Sequence, residues 1–400
     1  MDGGPRSIAV FAGNSPASKQ MPCIRCAVAE WARLEQHTRA QKTKRETHPT
    51  RTPSDFRFAR PADEMTPQRC FLVTCLGAYD DSGIGTGGFV CVHQGQASIL
   101  DRIDSTGLCE HEGTYYRFAR GLRAIVGYDA SGLRYLLKVP GARDIHDLGV
   151  SDGRFICVST GTNEVLWIDS LGSITRRWKA EGERDAWHLN CLCEVDGRWH
   201  VAAFGRFATH RGWLGECSGK GFVFELESRR EAVTGLNGPH NPRFLDGTWF
   251  VCDSHASTLV VQRPGEAARS IPLGGFTRGL AWDAHFLYVG VSADRKAQIP
   301  DDHSAIVVLD RDTLEITMRF EIPFPEIYEI VPVPAAFSDA VAKNPAAFQI
   351  DQAQERFDAL EKQVQLGWKE IAELRRRLEP LLGVEEVRGR LVQLKRRLVG

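Results

Sequence analysis

Net charge is nearly absent from this chain: 50 Lys and Arg oppose 51 Asp and Glu, a formal charge of −1. That balance removes any whole-chain electrostatic case for nucleic acid or acidic lipid as a partner. Also missing is an uninterrupted apolar run of the roughly 18 residues that a membrane-crossing helix needs, so no membrane partner is expected. The opening residues, M-D-G-G-P-R-S-I-A-V-F-A-G-N, lack a basic start followed by a long apolar stretch, and a secretory signal is not expected. The 11 cysteines are odd in number and irregular in spacing, which does not suit a disulfide framework. Cys75, Cys91, Cys157, Cys191, Cys193 and Cys252 sit in apolar runs, where a thiol behaves as a small hydrophobe. A reducing, cytoplasmic setting is expected.

Helical periodicity is lacking across residues 70–335. In its place stand short runs of Val, Phe, Leu, Trp and Tyr, separated by D-G, S-G and P-G turns. Four of these runs open on a polar or charged residue and reach a turn seven residues later: I-H-D-L-G-V-S-D-G (145–153), L-N-C-L-C-E-V-D-G (189–197), P-H-N-P-R-F-L-D-G (239–247) and T-R-G-L-A-W-D-A-H (277–285). A fifth, S-T-G-L-C-E-H-E-G (105–113), fits the same frame. Thr106, His146, Asn190, His240 and Arg278 therefore recur 40, 44, 50 and 38 positions apart, the period of a four-stranded blade. A strand at Glu329–Pro334 follows by about one more repeat. Phe71–Leu76, Phe89–His93 and Ser98–Ile103 supply the strands it lacks. The expected fold is all-β: a six-bladed β-propeller over 70–335, its last blade shared by the two ends of the domain, which removes open sheet edges.

The flanks differ. Through Arg69, 12 Lys or Arg stand against 7 Asp or Glu among many Thr, Pro, Ser and Gln, so residues 1–68 are expected to form a basic, disordered N-terminal extension. It lacks the interleaved aromatics that base stacking requires, and nucleic acid is not an expected partner. Cys23 and Cys26 form a lone C-x-x-C without a second pair of ligands at metal spacing. From 337 to 400, Phe357, Leu360, Val364, Ile371, Leu374, Leu378 and Leu381 step by three and four, missing only at Gly367, where Trp368 stands next door. That seam predicts an α-helical coiled-coil tail and a homo-oligomer assembled through residues 350–400.

In a propeller the start of each innermost strand and the end of the next share one face of the disc. That face is expected to gather His146, His188, Asn190, His240, Arg243, Asp253, Arg278 and Arg295 around the axial opening, with the loop His210, Arg211 and Trp213 beside it. Mouths of closed β-architectures favour ligands. His146, His188 and His240, from different blades, could bind a divalent metal or act as catalytic acids and bases, with Asp147 or Asp253 in support. Arg243, Arg278 and Arg295 could hold an anion bidentately. Each polar residue could instead simply cap neighbouring backbone.

Six segments occur in order: W-H-L-N-C (187–191), T-H-R-G-W (209–213), G-L-N-G-P-H-N-P-R (235–243), C-D-S (252–254), G-F-T-R-G-L (275–280) and V-G-V-S-A-D-R (289–295). Together they resemble a bacterial family of conserved hypothetical propeller proteins, a domain of unknown function. The resemblance implies a cytoplasmic propeller-like domain and supplies no reaction. The expected function is binding of a polar or anionic small molecule, or a modified peptide, at the His/Arg face, with metal-dependent lyase or hydrolase chemistry as an extension. The alternative is a non-catalytic interaction scaffold multimerised by its C-terminal helices.

Overall fold

The computed structural model describes residues 69–77, 84–292 and 303–350, together with Pro67, Glu373 and Arg376. The basic extension with Cys23 and Cys26, Arg295, and the heptad seam from Phe357 onward lie outside the described residues. Within them the chain forms six four-stranded antiparallel sheets.

The first blade takes β1 (Phe71–Leu76), β2 (Ile84–His93) and β3 (Gln96–Ile103). The second is β4 (Ser105–His111), β5 (Thr114–Ala119), β6 (Ala124–Asp129) and β7 (Gly132–Lys138). The third is β8 (Ile145–Ser151), β9 (Arg154–Ser159), β10 (Glu164–Ile168) and β11 (Ile174–Lys179). The fourth is β12 (Leu189–Val195), β13 (Arg198–Ala203), β14 (Gly221–Glu225) and β15 (Glu231–Leu236). The fifth is β16 (Pro239–Leu245), β17 (Thr248–Asp253), β18 (Thr258–Gln262) and β19 (Arg269–Pro272). The sixth is β20 (Phe276–Trp282), β21 (Phe286–Ser292), β22 (Ser304–Asp310) and β23 (Ile316–Ile322). Finally β24 (Glu326–Pro332) returns to pair with β1, Leu72 opposite Val331 and Val73 opposite Ile330. The first blade is thus completed by the C-terminal end of the domain, as the strand arithmetic predicted. Each of the inner strands β4, β8, β12, β16, β20 and β24 packs beside the next, and β24 packs beside β4, so the ring closes.

Local chemistry explains the regularity. The turns at Asp152-Gly153, Asp196-Gly197 and Asp246-Gly247 have both residues at positive φ, between 48° and 76°. This is the left-handed turn that matches the twist of a two-residue hairpin, and Asp-Gly adopts it at low cost. Between blades, apolar side chains form sheet-to-sheet cores. Phe71, Tyr288 and Phe320 pack where the first and sixth blades meet. Trp187, Phe222 and Phe224 pack with Trp167 where the third meets the fourth. At the seam of the first and second blades Arg117 is wholly buried, its guanidinium held by Asp101, Tyr128 and Ser105.

The segment after the ring also belongs to it. Helix α1 (Ala335–Lys343) packs on β2 and buries Phe337, Ser338 and Val341. Phe337 meets Tyr115 edge-on at 4.7 Å, and Phe348 stacks on Tyr128 at 6.4 Å. Sequence patterning places helical character from 337 onward; this first helix covers the propeller. Among the described residues no helix is long and apolar enough to cross a membrane.

Candidate functional site

One irregularity recurs in all six blades. Near its start each inner strand slips register against its neighbour, leaving Gly107, His146, Asn190-Cys191, Asn241-Pro242, Arg278-Gly279 or Tyr328 unpaired in a β-bulge. A bulge re-aims side chains and releases backbone groups from the ladder. The recurring frame in the sequence is therefore a ring of bulges. The frame residues His146, Asn190 and Arg278 occupy it, while in the second blade it falls on Gly107 rather than on Thr106. Tyr328 is its sixth member, and in the fifth blade the bulge falls on Asn241 rather than on His240.

The released amides must find acceptors. Asp147 accepts from Leu148 N at 2.8 Å and, across to the next blade, from Leu192 N at 2.7 Å. Asn241 Oδ1 accepts from Gly279 N at 2.7 Å. Glu329 accepts from Leu280 N, Ile330 N, Asn241 Nδ2 and Arg243 Nη2. The remaining Arg243 donors reach the carbonyls of Leu280, Leu192 and Pro242. Asp147, Asn241, Arg243 and Glu329 thus form a closed layer that ties inner strands together. Burial first, then the Glu329 charge, pushes the Asp147 carboxyl up to about 7. Arg243, expected as an anion clamp, is committed to this layer, and Asp147 serves backbone rather than a metal.

At the strand starts the surroundings change. His188, at φ 49°, packs against the rings of Phe204 (4.4 Å) and Trp213 (4.1 Å), and its Nδ1 is 2.7 Å from Asp185 Oδ1. His146 meets His188 edge-on at 5.1 Å and Tyr328 at 5.9 Å, with its Nδ1 on the Asp144 carbonyl at 3.2 Å. Burial, opposed by Asp144 and aided by His188 and Arg278, brings the His146 imidazole down to about 3. The His146 and His188 side chains keep 12% and 13% of their surface exposed, so both can be reached from solvent. Arg278 stacks over the Tyr328 ring at 3.5 Å and pairs with Glu326 at 2.7 Å. Asn190 donates through Nδ2 to the His188 carbonyl at 3.3 Å. Asn190 Oδ1, Trp213 Nε1 and the Tyr328 hydroxyl are buried in this patch with no hydrogen-bond partner among the described residues.

Other expected site residues stand apart. His240 is buried between Phe204 and Phe276, and Ser254 Oγ accepts from its Nδ1 at 2.6 Å. Phe204 is in ring contact with both His240 and His188, and among the described residues no group of three or more His, Cys, Asp or Glu is arranged to hold a metal ion. The expected three-histidine centre divides into a pair, His146 with His188, and a separate His240. Asp253 is occupied by Asn237, through its backbone N–H at 2.5 Å and its side chain at 2.8 Å. His210 is exposed, with its Nδ1 on the Arg184 carbonyl at 2.8 Å. Arg211 is at the rim, 3.7 Å from Asp185 and over the Trp213 ring. Thr106 bonds the Ile145 carbonyl of the next blade at 2.5 Å, a blade-to-blade fastener.

Sequence reasoning missed Asp185, Asp144, Glu326, Tyr328 and Glu329. Signals for three of them were present: Asp185 precedes His188 in D-A-W-H, Asp144 precedes His146 in D-I-H, and Tyr328 stands at the sixth repeat of the frame.

Fold and site together define a six-bladed β-propeller with a polar axial mouth. The family described as "Domain of unknown function (DUF4915)" matches residues 119–340, more than half of the chain, and the chain belongs to that family. None of the curated proteins matches it. Among solved structures it is similar to the calcium-binding protein regucalcin of Agrobacterium tumefaciens, at 16% identity over 56% of this chain and 76% of that one, TM-score 0.43. It is similar to a chain of a nidogen/laminin complex, at 10% identity over 65% and 97%, TM-score 0.47. A protein of unknown function from Bacteroides caccae is similar at 13% identity over 66% and 99%, TM-score 0.46.

Proposed function

We propose that this propeller binds a small polar molecule at the mouth formed by His146, His188, Asn190, Trp213 and Tyr328, and that His188 moves a proton on it. The observation that carries the reading is that Asn190 Oδ1, Trp213 Nε1 and Tyr328 Oη are buried without a hydrogen-bond partner among the described residues. Such atoms cost about 1–3 kcal/mol each when left unanswered, and they mark a place that something else fills. The His188–Asp185 contact adds the chemistry. A carboxylate that accepts from Nδ1–H fixes the tautomer and leaves Nε2 as the proton acceptor. His146, held uncharged beside it, adds no repelling positive charge to the imidazolium that would form. Proton transfer of this kind serves a hydrolase or a lyase.

The test begins with a thermal-shift screen of wild type against small polar metabolites. Hits are then assayed for turnover by wild type and by His188→Asn, since asparagine tolerates the left-handed backbone at that position. The expected result is a compound that stabilises wild type and whose turnover falls roughly 10²–10⁴-fold in the variant. Equal turnover by His188→Asn would remove the proton-transfer role. Hits that stabilise an Asn190→Ala, Tyr328→Phe double variant as well as wild type would remove the site.

A further inference from the structure

Beside the mouth, the loop after β13 and the turn after β17 bring a thiol against an imidazole. Cys217 Sγ is 3.3 Å from His255 Nδ1, within hydrogen-bond reach for sulfur. Cys217 lies between β13 and β14 in the fourth blade, and His255 in the short turn Ser254–Ala256 of the fifth. One residue positions both. Asn237 accepts through Oδ1 from Ser218 Oγ and Gly219 N, each at 3.0 Å, and its carbonyl accepts from His255 N at 3.0 Å. Asn237 is fixed in turn by Asp253, which accepts from its backbone and side-chain N–H groups. Gly238, at φ 70°, leaves room for the ring: a Cβ there would stand 2.9 Å from His255 Nδ1.

The surroundings set this thiol apart. Cys91, Cys193 and Cys252 lie in strands with their sulfurs on backbone carbonyls. Cys217 is buried against Phe204 and Trp213, yet Glu216 and Ser218 on either side of it are exposed, and so is His255. Burial raises the Cys217 thiol above its ordinary value and Asp253 adds to the rise, while its own backbone N–H and Lys220 oppose it. Such a sulfur rests protonated at neutral pH, and the thiolate is the nucleophile, so the attack needs a base. A neutral imidazole at hydrogen-bond distance supplies one. The charged groups around the pair are Asp253, Lys220 and, 3.3 Å from Lys220, Glu216. The rings of His188, His240 and His255 each meet Phe204.

From this juxtaposition we propose that Cys217 and His255 form a second reactive site, at which the thiol bonds covalently to an electrophilic carbon that bears a leaving group. The S–H proton passes to His255 Nδ1 as the sulfur electron pair forms the S–C bond. The bond from that carbon to its leaving group breaks, the leaving group departs with the electron pair, and the proton follows it or passes to water. The site uses neither His146 nor His188, so it stands or falls apart from the binding reading above.

The experiment treats the folded full chain with iodoacetamide across a pH series and follows the alkylation of each cysteine by peptide mass spectrometry, iodide being the leaving group. Cys217→Ser identifies the peptide. In wild type Cys217 should label faster than the strand residues Cys91, Cys157 and Cys252, at a rate that rises between about pH 5 and 8, where an imidazole gives up its proton. In His255→Gln the Cys217 rate at neutral pH should fall roughly 10²-fold, and its rise should move above the ordinary thiol value of about 8.5. Slow labelling of Cys91 and Cys157 reports in the same samples that the variant is folded, and the wild-type pH profile decides alone should it not be. Labelling of Cys217 no faster than of the strand cysteines would overturn the proposal. So would a wild-type rate that rises only above about 8.5, or an equal rate in folded His255→Gln.

Discussion

Two polar layers adjoin at the inner strands, where Tyr328 precedes Glu329 and His146 precedes Asp147, and they differ in who answers their hydrogen bonds. In the deeper layer Asp147, Asn241, Arg243 and Glu329 answer one another and the amides that the bulges release. In the outer layer Asn190, Trp213 and Tyr328 each retain a polar atom with no partner among the described residues. Both layers are buried and polar, so burial and polarity alone cannot separate scaffold from site. The closed layer is scaffold. The open one is where the proposed ligand would bind.

Breaking the closed layer should have the largest effect. Glu329→Ala removes the acceptor of Asn241, Arg243 and two backbone amides at once, and leaves Arg243 without its carboxylate. Truncating one partner of a buried ion pair typically costs about 3–5 kcal/mol. Urea denaturation should show a loss of that size in unfolding free energy; a loss below about 1 kcal/mol would mean the layer is not what ties the strands together.

The layers should also oppose each other in pH. His146 in the folded protein is brought down to about 3 from an ordinary 6.5, so the unfolded chain binds the extra proton between those values. The stability His146 contributes is present above about 6.5 and lost as pH falls toward 3. Asp147 runs the other way. Its folded value of about 7 lies above the usual carboxylate range, so its contribution is present below about 4 and lost as pH rises through 7. Each limb should be worth on the order of a few kcal/mol across its window. Unfolding free energies measured from pH 4 to 8 on wild type, His146→Gln and Asp147→Asn separate them: the first variant should flatten the acid limb and the second the limb between 4 and 7. Unchanged slopes in both would show that neither group titrates differently on folding.

How much of this was legible in the sequence follows from what repeats and what does not. The blades were legible because turn pairs such as Asp152-Gly153 and alternating apolar runs are local signals, and their spacing is regular. The closing of β24 onto β1 followed from counting strands. His146, Asn190 and Arg278 were legible as members of one repeated frame. Pairing was not: Glu326 and Glu329 are 48 and 86 residues from the arginines they neutralise, and nothing local announces such a contact. For that reason Arg243 and Arg278 read as available cations when seen only in sequence. Likewise His240 read as an equal of His146, because a frame position does not reveal that its ring is buried against Phe204 and Phe276 with Nδ1 on Ser254.

A smaller effect should attend the fasteners between blades. Thr106→Val keeps the shape and removes the bond from Oγ1 to the Ile145 carbonyl of the next blade. About 1 kcal/mol should be lost. Thermal unfolding would register it as a modest drop, and an unchanged midpoint would show that the contact contributes nothing net.

The smallest expected change in stability is the most informative about the comparison. Tyr328→Phe deletes a buried hydroxyl that has no protein partner, while the ring that Arg278 stacks on is retained. Removing a group already unsatisfied restores no water bond and breaks no protein bond, so the variant should lie within about 0.5 kcal/mol of wild type or be more stable. A hydroxyl serving the scaffold would cost about 1 kcal/mol or more on deletion, as in the deeper layer. The sign therefore decides which layer Tyr328 belongs to. A stability-neutral Tyr328→Phe that also weakens binding of a thermal-shift hit would place the hydroxyl with the ligand. A clear loss of stability with unaltered binding would move it into the scaffold and leave Asn190 and Trp213 in the outer layer.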